Sequence, residues 1–313
     1  MSQRITNLKQ LDQPADQIAC LIIRDIRKNM RKSRRIWLTH VSNPASDTQE
    51  TEALHNFRVE MRRLRVWLQQ ARGLVRTRPK ARQQLKQWAE GSNTGRDLEV
   101  MLSLLRQANS EINSKIPVIP LTQENKKLEE LISNQPLALK PRTRMYKRKG
   151  KQISFTTWLA EHLSSELEKT LPLFKEDDET LHKARIHIKH MRYLIEPIAS
   201  SGLIAAQPAL TQLKVMQTRL GDLHDLFVLR QKLPGLLCGL LNEQLSNRLL
   251  QQGSLTRGIQ QDFTTSRNQF TLYLRWQTTN YAEALKNWQA TSTQTCTQLE
   301  CALLELISEL KNV

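Results

Sequence analysis

Glycine and proline are scarce in this chain, 10 and 11 of 313 residues, together about 7% against roughly 12% in average usage. Few punctuators mean few tight turns, which argues against a sandwich or barrel and for long helices. Cysteine is scarcer still. Cys20, Cys238, Cys296 and Cys301 are scattered with no CxxC pair, so a disulfide scaffold and a thiolate metal cluster are both excluded, and the thiols are expected to be reduced and mostly buried in a cytoplasmic protein. No apolar run approaches the roughly 18 residues of a membrane span; the longest candidate, Leu233 to Leu241, carries Pro234, Gly235 and Gly239. The opening MSQRITNLKQLDQPADQ has no apolar core, so no secretory signal is expected. Acidic residues are outnumbered, 30 against 47 Lys and Arg, for a net charge of +17. Such a surface attracts polyanions: nucleic acid, an anionic membrane or a phosphate polymer. Hydrophobic residues, at 39%, are still enough for a core.

What the chain does have is a repeat. LHNFRVEMRRLRVWL (Leu54 to Leu68) returns about 127 residues later as LHKARIHIKHMRYLI (Leu181 to Ile195). His55, Arg58, Arg62 and Arg65 fall on His182, Arg185, Lys189 and Arg192. A second pair follows in the same order: Leu85, Lys86, Asp97 and Leu98 match Leu213, Lys214, Asp225 and Leu226. Two ordered segments repeating together point to an internal duplication. The expected organisation is one domain over 1–313, with repeat 1 at about 15–113, a connection at 114–152 and repeat 2 at about 153–311. Each half reads as several helices, with no βαβ alternation and no hairpin. Expected helices cover Ile18 to Val41, the Leu54 segment to near Gly73, Arg82 to Ala108 interrupted around Gly91 to Gly95, and two C-terminal stretches near 255–288 and 292–311. The fold class is all-α: two pseudo-symmetric antiparallel bundles of about four helices each.

On a wheel at about 100° per residue, His55, Arg58, Arg62 and Arg65 share an arc of about 80°, beside an apolar arc of Phe57, Met61, Leu64 and Leu68. His182, Arg185, Lys189 and Arg192 repeat the wheel against Ala184, Ile188, Met191 and Ile195. Like charges stacked in a ridge are destabilising on their own. Glu60 is the one acid between His55 and Arg65, and none lies between His182 and Arg192. One such ridge could be a solvated face; two with the same wheel are better neutralised by a ligand. Arginine suits phosphate because its planar fork donates two parallel hydrogen bonds. The first long helix adds a further row, Arg24, Arg27, Arg31 and Arg34. Residues 1–113 hold 21 basic and 11 acidic residues, more than half the excess charge.

The doubled HxxR helix, each copy followed by a segment like LGxxRDxxVL, resembles the CHAD domain (conserved-histidine α-helical domain) over roughly residues 15–310. The resemblance implies two four-helix bundles about a basic groove or pore, binding of inorganic polyphosphate, and a place at polyphosphate granules in the cytoplasm. It implicates His55, Arg58, Arg62, Arg65, His182, Arg185, Lys189 and Arg192, and adds Lys86, Lys214 and Arg96, with Asp97 and Asp225 as acids that orient basic side chains. GSNTGRD lacks the family's Leu-Gly start, and LGDLHD places His224 where Arg or Asn is usual. The Lys140 to Lys151 basic run has no counterpart and reads as a linker rather than a lid.

Catalytic signatures are missing. There is no GxxxxGK[S/T] loop and no GxSxG elbow. Glu166-Leu-Glu168-Lys169 has the wrong spacing for the ExExK of triphosphate tunnel enzymes, and no carboxylate cluster for Mg²⁺ is visible. His182 and His187 lie about 140° apart on the wheel; His187 and His190 share a face but have no acidic partner nearby in sequence, so no metal site is expected. No cofactor is expected either. The leading expectation is non-catalytic polyphosphate binding. A nucleic-acid binder is the alternative, set back by only 5% aromatics and by the lack of regular stacking residues along the ridges; an accessory enzyme of phosphate metabolism is a third. Membrane binding is not expected, because the apolar face of the first helix is accounted for by bundle packing.

Overall fold

The structure, a computed structural model, describes residues 7–42, 47–113, 122–133, 137–144, 147–148, 151–175, 177–252 and 257–313. Of the loop expected at SNPASDTQE (42–50), Ser42 instead ends the first long helix and Asp47 to Glu50 open the next, while 43–46, like the IPVIP segment of the connection (116–120), fall outside the described residues. The chain is all-α. Its order is α1 (Leu8–Leu11), α2 (Ala15–Ser42), α3 (Asp47–Gln70), β1 (Val75–Arg76), α4 (Pro79–Glu111), α5 (Thr122–Ser133), β2 (Arg142–Thr143), β3 (Lys147–Arg148), β4 (Lys151–Gln152), α6 (Phe155–Thr170), α7 (Asp178–Ile195), α8 (Ala206–Gln252) and α9 (Arg257–Asn312).

Local chemistry sets the ends of the two helices that matter most here. Asp177 caps α7 by accepting from the N–H groups of Glu179 (3.1 Å) and Thr180 (3.0 Å), and Asp178 and Glu179 sit in the first turn with Arg192 in the last, each complementing the helix dipole. Ser154 caps α6 through the N–H of Thr157 (3.2 Å).

Several sequence expectations are corrected. The interruption at Gly91 to Gly95 is absent, and α4 runs through it. Gly91 is there for packing: a Cβ would stand 3.1 Å from Leu131 Cδ2, so the missing side chain lets α5 lie close. The C-terminal stretches are one helix, α9, because nothing near 289–291 breaks it. Two short antiparallel pairs exist where no hairpin was expected, β1 with β2 and β3 with β4. The first ties part of the basic run, Arg142–Thr143, to the turn after α3, aided by Arg144 N–H donating to Leu74 O at 2.8 Å. Of the cysteines, only Cys20 is buried and Cys296 half-buried; Cys238 and Cys301 lie on outward faces of α8 and α9.

The chain forms two compact units. The first contains 1–96, 121–217 and 294–313, and the second 97–120 and 218–293. These do not coincide with the two repeats, because the first unit takes the His-Arg helix of both. Its core includes Trp37 stacked on Phe57 (5.9 Å between ring centres), and Trp67 with Phe155 (6.4 Å) and Trp158 (6.1 Å). Trp67 is fully buried and its indole N–H donates to Tyr193 O at 2.9 Å, fixing α3 against α7. The core of the second unit is built from Met101, Leu105, Leu229, Leu233, Leu237, Phe270, Tyr273 and Trp276. Among the described residues, no helix is long and apolar enough to cross a membrane.

Candidate anion-binding cleft

In the first unit, α3, α4 and α7 enclose a cleft of about 620 Å³. Its basic lining is Arg62 and Arg65 from α3, Arg72 from the following turn, Arg82 from α4, and Lys189 and His190 from α7. Arg62 lies at the centre of the charge. Burial lowers its pKa most; Tyr193 opposes that, and Arg96, Arg58 and Arg185 push it down further. Three guanidinium groups, from α3, α4 and α7, therefore press on Arg62. Arg82 is also held below its ordinary value, by burial and then by Arg72. Crowded cations in a partly dehydrated place repel strongly, since the local dielectric is well below that of water.

The ridge residues divide by role. Arg65 and Lys189 line the cleft with Arg62. Arg58 does not reach the surface: it is 4% exposed and its Nε–H donates to Ser92 Oγ at 3.1 Å. Its carbonyl accepts from Arg62 Nε–H at 3.2 Å, which holds the Arg62 side chain along the helix. His55 is exposed, and His182 and Arg185 are half-buried. Arg192 turns away, over the Tyr193 ring (4.9 Å) and toward Glu196 (3.5 Å).

The residues added by resemblance scatter more. Lys86 pairs with Glu90 at 3.7 Å in an exposed i,i+4 bridge. Lys214 lines a different cleft, of about 450 Å³, with Asp25, Glu60, Arg63 and Glu196. There Arg63 joins Glu60 (2.6 Å) to Glu196 (2.8 Å). Burial alone would lower the Arg63 pKa, yet the two carboxylates hold it above its usual value. Asp97 and Asp225 belong to the second unit. Asp97 accepts from Lys232 at 3.0 Å, so the base it meets is a lysine absent from the sequence reading. In α2, Arg24, Arg27 and Arg31 lie on one basic face with Lys28, Lys32 and Arg35. Arg34 leaves that row, donating to Ile132 O at 2.6 Å and lying over Trp88.

Sequence reasoning missed Arg72, Arg82 and His190 as lining residues. Arg72 had a signal, since it stands seven residues after Arg65. Arg82 had none, because a turn and β1 intervene. Reasoning from α7 alone also missed an acid. Glu166 on α6 places Oε2 at 2.8 Å from His187 Nδ1 and 3.5 Å from His190 Nδ1. Burial would raise the Glu166 pKa, but the hydrogen bonds and charge of His190 and His187 hold it at about 2.

His182 supplies a pH test. Burial first, then Arg185 and Lys189, depress its pKa below the ordinary 6.5. The unfolded chain therefore takes up this proton at a higher pH than the folded one, and His182 costs stability as pH falls below about 6.5. A bound polyanion offsets Arg185 and Lys189 and raises the His182 pKa, so binding takes up a proton. Polyanion affinity is expected to rise as pH falls from about 7.5 to about 5.5. Calorimetry in buffers of differing ionisation enthalpy measures the uptake, and His182→Gln is expected to abolish its part; an unchanged uptake in the variant excludes His182 from the linkage.

The CHAD domain family model matches residues 28–234, more than half of the chain. The crystal structure of the CHAD domain from the plant Ricinus communis is similar to this chain with a TM-score of 0.56 at 14% identity, over 97% of this chain and 96% of that one. No curated protein matches.

Proposed function

This chain belongs to the CHAD domain family, a family linked in general to polyphosphate binding, and from that premise we propose that it binds inorganic polyphosphate in the cleft between α3, α4 and α7 without turning it over. One observation carries the reading: Arg62 is crowded by Arg58, Arg96 and Arg185 beside a cleft walled by Arg65, Arg72, Arg82 and Lys189. An anion with closely spaced charges relieves that repulsion and satisfies several guanidinium forks at once. A bare phosphate chain fits better than a nucleic acid. The aromatic ring at the cleft, Tyr193, is 4% exposed and lies beneath Arg63 and Arg192, so it offers no stacking platform for a base. A protein that holds the polymer by its charges is carried to polyphosphate granules, and that is the location we assign.

The test is competition between labelled long-chain polyphosphate, duplex DNA and single-stranded RNA at matched phosphate concentration. Polyphosphate is expected to win by at least about a hundredfold at roughly 150 mM salt, with affinity falling steeply as salt rises. Equal competition by all three reduces the cleft to a generic polyanion surface. Release of orthophosphate from the polymer, with or without Mg²⁺, overturns the non-catalytic reading.

A further inference from the structure

The Glu166–His187–His190 group shares only His190 with the cleft described above, as a lining residue; Glu166 and His187 take no part there. Among the described residues it is the one cluster whose donor atoms could surround a cation: one atom from each side chain, all within 4.8 Å of one another. Two helices build it. His187 and His190, three apart on α7, present their rings on one face, 6.0 Å between centres and edge to face. Glu166, with its side chain 9% exposed, comes from α6.

The spacing is close to that of ligands around an ion. Tetrahedral zinc, with ligands at about 2.0–2.1 Å, places neighbouring donor atoms about 3.3 Å apart. Glu166 Oε2 already lies 2.8 Å from His187 Nδ1 and 3.5 Å from His190 Nδ1. Both separations lie within about half an ångström of that spacing, so the carboxylate already stands where a shared ion would bring it to the two rings. We propose that Glu166, His187 and His190 form a binding site for a borderline divalent cation of the zinc class, through Glu166 Oε2 and the two Nδ1 atoms.

The donor set fixes the class. Two imidazoles and one carboxylate suit Zn²⁺ or Co²⁺, whereas Mg²⁺ and Ca²⁺ seek oxygen-rich shells that one glutamate cannot supply. The proton balance is simple. The ionised carboxylate can only accept, so an imidazole bonded to it donates from Nδ1, and that nitrogen must give up its proton before it can hold an ion. Binding leaves a lone pair on each Nδ1, the proton going to Nε2 of a neutral ring or to solvent from a charged one. Two groups compete for the trio. Lys169 Nζ is 3.9 Å from Glu166 Oε1, and Gln70 Nε2 is 3.4 Å from His190 Nδ1. The ion must outbid both. The site takes a cation in the polymer-free protein; His190 is the one residue it shares with the anion cleft, so the variants are made at Glu166 and His187.

Titration with Co²⁺ followed by electronic absorption, with Zn²⁺ and Mg²⁺ as competitors, decides it. One Co²⁺ per chain is expected, with the intense visible bands of a four-coordinate nitrogen and oxygen site. Zn²⁺ should displace it and millimolar Mg²⁺ should not. Glu166→Gln and His187→Gln should each weaken binding by at least about tenfold. In Glu166→Gln the amide oxygen still accepts an imidazole N–H, which separates loss of the ligand from loss of the fold. His187 is a quarter exposed, so His187→Gln is the second variant should the first unfold. Zn²⁺ should also raise the melting temperature of the wild type and not of either variant. The proposal fails if the wild type takes up no stoichiometric ion at micromolar concentrations, if the variants bind as it does, or if the spectrum shows a cobalt–thiolate charge-transfer band, which would assign the ion to cysteine.

Discussion

Reversing two charges of the cleft, Arg62→Glu with Lys189→Glu, is expected to lower polyphosphate affinity by at least about a hundredfold at physiological salt. Each charge-assisted hydrogen bond lost costs about 1.5–3 kcal/mol, about one to two factors of ten apiece, before the new repulsion is counted. The control is Arg63→Gln, one residue away on the same helix. It removes one positive charge, but Arg63 spends its guanidinium on Glu60 and Glu196. That variant should bind polyphosphate within about threefold of wild type and lose about 1.5–3 kcal/mol of stability. Anisotropy titrations and urea unfolding on the same samples separate the two outcomes. If all three substitutions weaken binding in proportion to charge alone, the cleft has no geometric role and the reading based on it fails.

The second large effect is on folding. Trp67→Ala is expected to cost about 3–5 kcal/mol, the range for removing a buried large aromatic side chain. Trp67 is completely buried, packs on Phe155 and Trp158, and donates to Tyr193 O. Its loss opens a cavity where α3, α6 and α7 meet and leaves a buried carbonyl without its donor. Trp67→Phe should recover part of the loss, filling most of the cavity but not the hydrogen bond. Urea unfolding measures both, and a cost under about 1 kcal/mol for Trp67→Ala would mean the junction does not bear on stability.

The helices of the site could be read from the sequence because their evidence is local. Apolar residues at helical spacing marked the body of α7 from Leu181 to Ile195, but left its first turn from Asp178 and the cap at Asp177 unmarked. The shared wheel of α3 and α7 identified Arg62, Arg65 and Lys189, all of which line the cleft. The wheel could not separate Arg58 from Arg62, because angle alone ignores what packs opposite; Ser92 on α4 takes Arg58 inside. Nor could it show that Arg192 has Glu196 one turn on and an aromatic ring beside it. Glu166 was visible as a residue but not as a neighbour of His187, since 21 positions of chain and a change of helix separate them. Gly91 misled for a related reason: glycine in a helix signals a break unless one knows that another helix presses on it.

The backbone ties the start of α2 to the start of α6. Ala15 N–H donates to Ile153 O at 3.0 Å and Phe155 N–H to Gln13 O at 2.9 Å, so each helix begins on a hydrogen bond to the residues that lead into the other. Trp67 to Tyr193 and Arg63 to Glu196 continue the exchange along α3 and α7. Helices far apart in the chain are thus anchored to each other, α2 to α6 where they begin and α3 to α7 toward where they end. Positions that look equivalent in the sequence, such as Arg58 and Arg185, therefore need not be interchangeable: Arg58 is held inside by Ser92, whereas Arg185 is half-buried.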